Sequence, residues 1–152
     1  MEPSYAVQVI QTTLAPAVMI SSSGLLLLGF QNKFSALFDR FRSLNQEKRG
    51  LKKKTGRDAT ENDRLVNLEE QLARLMRRAT HVKNAILFTY LAIISFLVTS
   101  FFLFWGISTR YDFNYVTLTF FGIGLVLIFA TCASIIAEVK ISYRILTIEK
   151  KS

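Results

Sequence analysis

The chain has 152 residues, 51% of them hydrophobic, nineteen Lys/Arg against eleven Asp/Glu, and a formal net charge of +8. A soluble domain of this length disperses its apolar residues by periodicity, whereas here they gather into three uncharged blocks, which excludes an ordinary soluble fold. One cysteine, Cys132, lies inside the third block and excludes an internal disulfide or a thiolate metal cluster.

The blocks cover approximately residues 6–30, 84–106 and 116–137. Each is about twenty residues or longer, enough for a helix to cross about 30 Å of hydrocarbon. The second and third show no polar stripe. The expected fold is therefore all-α, an integral membrane protein with three transmembrane helices.

Residues 1–5 are read as a short extracytoplasmic N-terminus. Their only charged side chain is Glu2, so the first span lacks the basic leader of a signal peptide and is expected to be retained. Within it, Gln8, Gln11, Ala15, Met19, Ser22, Leu26, Gly29 and Lys33 fall on a stripe less than about 90° wide at the helical period. Such a polar or small face is expected to hide from hydrocarbon. Two expectations follow. Either the stripe packs on the other spans, at their small residues Gly122, Gly124, Ala130, Ala133, Ser134 and Ala137, or several copies of the first helix line a polar pathway. Gln8, Gln11, Ala15, Ser22, Gly29 and Lys33 are the candidate pore or packing face. Pro16 frees the carbonyl of Thr12, whose hydroxyl and that of Thr13 are placed to compensate.

Residues 31–83 carry fourteen Lys/Arg against seven Asp/Glu, a surplus of seven positive charges. The positive-inside rule puts this segment and the tail, 138–152, in the cytoplasm, with the N-terminus and the loop 107–115 outside. Phe34, Leu37, Phe41, Leu44 and then Leu65, Leu68, Leu72, Leu75, Ala79 keep a three-four spacing, the seam of two coiled-coil-like helices. A turn near 52–60, with Gly56 and a TEND capping box at Thr60–Asp63, folds them into an antiparallel hairpin. That register sets Phe41 against Leu72, Leu37 against Leu75 and Phe34 against Ala79. It also sets Glu47 opposite Arg64, Asn45 opposite Glu69 and Phe38 opposite Met76. No Gly or Pro separates the arms from the first two spans, so each arm should continue its span. Lys33, Arg77, Arg78 and Lys83 at the membrane end are candidate lipid-headgroup residues, with anionic membrane lipid as the partner that the basic charge favours over nucleic acid.

Glu138, at the inner end of the third span, is expected to pair with Lys83, Lys140 or the hairpin arginines. No catalytic, metal or cofactor set assembles from these residue types: His81 is the single histidine, and Ser21–Ser23 have no base at their depth. The function expected is therefore non-enzymatic, without cofactor. It is a homo-oligomeric assembly or scaffold, or an accessory subunit of a membrane complex, whose hairpin meets a cytoplasmic protein partner or lipid. The alternative is an oligomeric ion channel or pore lined by the first helix.

The stretch PAVMISSSGLLLLGFQNKFSALFDRFRSL (Pro16–Leu44) resembles the bacterial membrane family called domain of unknown function 2721, and LEEQLARLMRRA (Leu68–Ala79) resembles it more loosely. The resemblance implies a small multi-span protein of the bacterial inner membrane and supplies no ligand or catalytic residue.

Overall fold

The structure, a computed structural model, describes residues 5–53, 58–109 and 113–149. Side chains at 5, 6, 8, 9, 11, 107–109 and 141–149 are outside that description, as is Gly56 of the expected turn.

Among the described residues there are three helices: α1 (Tyr5–Lys53), α2 (Ala59–Thr109) and α3 (Asn114–Glu149). All three are long and apolar enough to cross a membrane. The first two run unbroken for 49 and 51 residues, so each arm is the same rod as its span. α3 likewise continues as helix past Glu138. Asp58 opens α2: its carboxylate accepts from the Ala59 amide at 2.8 Å and its carbonyl from the Glu61 and Asn62 amides at 3.1 and 3.2 Å. The cap thus lies two residues before the expected TEND box. A short acidic side chain there satisfies the first orphan amide and meets the positive end of the helix dipole.

α2 is the central element and packs against both neighbours, whereas α1 and α3 barely meet. Its face toward α3 reads Val82, Ala85, Thr89, Ala92, Phe96, Thr99, all at most 1% exposed and spaced by threes and fours. This corrects the expectation of spans without a polar stripe. Thr89 donates to Ala85 O at 2.8 Å and lies 3.3 Å from the Thr131 hydroxyl. Ser95 donates across the interface to Phe120 O at 2.6 Å, and Thr99 to Ser95 O at 2.9 Å. Small side chains let the backbones approach, and each hydroxyl finds a carbonyl, so the seam is polar yet satisfied. Gly124 faces Phe96 so closely that a Cβ there would lie 2.5 Å from the ring.

Along α1 and α2, Leu37, Leu68 and Leu72 are buried, and Phe34, Phe41, Leu44, Leu65, Leu75 and Ala79 are half-buried. The antiparallel register is marked by ion pairs. Arg64 donates to Glu47 Oε1 from Nε at 3.0 Å and Nη2 at 2.7 Å. Glu69 takes Lys48 at 2.9 Å and Lys52 at 3.4 Å in place of the expected Asn45. A flexible ammonium one turn away reaches a carboxylate with more gain than a neutral amide opposite it.

Candidate functional site

The site with the most concentrated chemistry lies where the apolar stretches end. Glu138 of α3 is 0% exposed and takes one cation from each of the other helices. Lys33 Nζ, from α1, bonds Oε2; Arg78, from α2, donates to Oε1 from Nε at 3.0 Å and pairs through Nη2 at 3.0 Å. An uncompensated carboxylate is costly to bury, so its burial requires a cationic partner. Lys33 and Arg78 keep 36% and 30% of their side chains exposed, as long stems allow. One carboxylate between two cations carries a local surplus of one positive charge.

Arg78 belongs to the hairpin arginines expected to meet Glu138, whereas the sequence places Lys33 on the pore or packing face and among the lipid-headgroup residues. Lys140 is exposed and Lys83 lines a separate groove. The triad joins helices that otherwise hardly touch: Lys33 on Glu138 is a polar link between α1 and α3. Its signal in the sequence was a lone acid at the end of an apolar span. The choice of Lys33 depended on how α1 leans on α2, which no local pattern encodes.

The stripe on α1 lies elsewhere than packing predicts. Ala15, Ser22 and Gly29 are exposed, and a Cβ at Gly29 or Gly24 would meet nothing within 4 Å. The buried face carries Pro16 and Ser23, the latter 2% exposed and donating to Met19 O at 2.7 Å. Neighbouring residues on a helix point about 100° apart. Burying Ser23 against α2 therefore turns Ser22 outward, where it donates to Val18 O at 2.8 Å. Of the small residues of α3, Gly124 is spent on Phe96 of α2, and Ala133 is exposed. Gln8 and Gln11 fall among the side chains outside the description. His81 is half-buried, and Cys132 is exposed on α3.

At the far end of the arms, Glu69 has a displaced equilibrium. Hydrogen bonds from Lys48 and Lys52, and their charge, hold its carboxyl below the usual carboxylate range.

No curated protein and no solved structure matches the chain. Residues 13–148 match the model of the family described as "Protein of unknown function (DUF2721)". That match reaches into all three helices and includes each member of the Lys33–Arg78–Glu138 triad, and by it the chain belongs to the DUF2721 family.

Proposed function

We propose that the protein is a non-enzymatic membrane assembly element, a homo-oligomeric scaffold or accessory subunit of a bacterial inner-membrane complex. Its N-terminus lies outside, and residues 31–83 form a cytoplasmic hairpin that meets a protein partner or anionic lipid. The observation that carries this reading is the stiffness of the arms. From Lys33 to Lys53 α1 extends about 30 Å beyond its apolar stretch at 1.5 Å per residue. It does so as one helix clasped to α2 through Glu47–Arg64 and Lys48–Glu69. A loop that only connects two spans has no need of a rod interlocked at its far end. The basic surplus of the segment supports the cytoplasmic assignment. Only 11% of the most apolar window of α1, and of α3, is buried within the chain, leaving faces for further copies or lipid.

The test is the mass of the detergent-solubilised protein by light scattering across a wide concentration range. Two or more copies at the lowest concentration support an oligomeric assembly; a monomer throughout contradicts it and leaves the accessory-subunit form.

A second reading, an oligomeric pore lined by α1, is favoured by one observation: Ala15, Ser22 and Gly29 face outward and are free to meet other copies. In a Cys132→Ala background, Ser22→Cys that reacts with a membrane-impermeant thiol reagent while Leu28→Cys stays inert supports the pore. Equal inertness of both supports the dry assembly.

A further inference from the structure

We propose that the Lys33–Arg78–Glu138 triad is the base of a phosphate site, in which a phosphate group sits on the unused fork of Arg78 beside Lys33. This deepens the lipid-meeting part of the proposed function and does not depend on copy number.

Arg78 gives one edge of its guanidinium, Nε and Nη2, to a single oxygen of Glu138, each at 3.0 Å. A guanidinium carries five N–H donors in a fixed plane, so a second edge, Nη1 with Nη2, keeps two donors turned away from the first. That edge is the fork that two oxygens of a phosphate match. Lys33 bonds the other carboxylate oxygen, Oε2, which leaves two of its three N–H groups. Among the described residues no other acid pairs with either cation.

Burial fixes which side of the triad a ligand can reach. The carboxylate is fully enclosed, whereas both cations keep about a third of their side chains exposed. Glu138 therefore orients Lys33 and Arg78 from the inside and leaves their outer donors accessible. A side chain already held loses little freedom when an anion arrives, which separates this pair from unpaired basic residues on the surface.

Charge and depth select the ligand. The triad holds one positive charge in excess, and a phosphodiester brings one negative charge. The next acids along the two arms are Asp39, six residues past Lys33, and Glu70, eight residues before Arg78. At 1.5 Å per residue they lie about 9 and 12 Å away along their helices, so neither neutralises the surplus locally. A headgroup layer is about 5–7 Å thick on each face of the hydrocarbon. Lys33 stands three residues, about 4.5 Å, past Phe30, and Glu138 directly follows Ala137. The triad thus lies at the depth of lipid phosphates. Free phosphate shares that chemistry and is the other source.

Native mass spectrometry of the full chain in an uncharged detergent tests this, with phosphatidylglycerol, a neutral glycolipid of the same acyl chains, and inorganic phosphate as probes. Wild type is expected to retain phosphatidylglycerol in preference to the glycolipid. Arg78→Lys keeps a cation for Glu138 but removes the fork, and should lower that preference about tenfold. Arg74→Lys, one turn further from the membrane, should leave it unchanged. Lys33→Gln should lower it about fivefold and Lys140→Gln, an equal loss of charge at an exposed position near Glu138, by less. The lysine comparison decides the matter should Arg78→Lys lose its helical signal. An inorganic phosphate adduct with the same dependence on Arg78 and Lys33 supports the site with free phosphate as a source; its absence beside retained phosphatidylglycerol assigns the site to lipid. Wild type with neither phosphatidylglycerol preference nor phosphate adduct overturns the proposal. Equal effects of Lys33→Gln and Lys140→Gln, or a folded Arg78→Lys that binds as wild type does, also overturn it and leave a diffuse basic belt. Copy number is read from the same spectra, so a monomer with the expected pattern contradicts the assembly and supports the site, while an oligomer without it does the reverse.

Discussion

Glu138→Gln keeps the shape of the side chain and removes the charge that Lys33 and Arg78 share. Two charge-assisted hydrogen bonds are lost, each worth about 1.5–3 kcal/mol, so the gross loss is about 3–6 kcal/mol. Breaking a fully buried pair from one side costs about 3–5 kcal/mol. Here both cations are about one-third exposed and can swing toward water or lipid phosphate, which recovers part of that. The expected net destabilisation is about 2–4 kcal/mol. It is read from the SDS-induced loss of helical circular dichroism in mixed micelles. Lys33→Met should cost less than Glu138→Gln, because Arg78 still satisfies the carboxylate. The double variant should show a coupling of at least about 1 kcal/mol. A Glu138→Gln protein within about 0.5 kcal/mol of wild type, the range of an ordinary surface change, would refute the view that the triad ties the helices together.

Two further outcomes follow from the packing and the charge pairs. Gly124→Ala puts a methyl 2.5 Å from the Phe96 ring, which is fully buried and lies 5.6 Å from Phe121, so the ring has little room to withdraw. Destabilisation of about 1–3 kcal/mol in the same SDS titration is expected, and a neutral result would show that α2 and α3 sit further apart. Glu69 has its equilibrium lowered by Lys48 and Lys52, so its contribution is present above the ordinary carboxylate range and is lost as pH falls through and below it. Amide exchange at the arm ends, corrected for intrinsic rates, should therefore lose protection on acidification by a small amount, since the pair is solvent-exposed. Glu69→Gln should show less protection at neutral pH and a flatter profile; an unchanged profile would contradict the pairing.

How far the residues alone disclosed this arrangement varies with the range of the interaction. The continuity of arm and span was legible, because nothing between Phe30 and Phe34 or between Val82 and Leu87 breaks a helix. Arg64 opposite Glu47 was legible too, since a register fixed by leucines carries its neighbours along. The partner of Glu69 was not, because side-chain reach outranks register by a turn. The α2–α3 hydroxyl seam was hidden by its composition: threonine and serine score as mildly apolar company among phenylalanines, and only the three-four spacing of Ala85, Thr89, Ala92, Phe96 and Thr99 betrays a face. On α1 the polar stripe was real but its destination was not. The choice between Ser22 and Ser23 as the buried serine is one residue of rotation, set by tertiary contact with α2. The triad combines both cases: Glu138 stood out as an acid needing partners, yet naming Lys33 required knowing that α1 and α3 come together at that end.

In the proposed arrangement a rod of paired helices stands on the cytoplasmic face, opposite the connection between α2 and α3. Single cysteines in a Cys132→Ala background test it in right-side-out vesicles with a membrane-impermeant thiol reagent. Gly50 is exposed near the end of α1 with open space around it, and Tyr115, at the start of α3, is 87% exposed. Tyr115→Cys should label in sealed vesicles and Gly50→Cys only after permeabilisation. The reverse pattern would invert the orientation, and labelling of both from the same side would contradict the membrane-crossing arrangement itself.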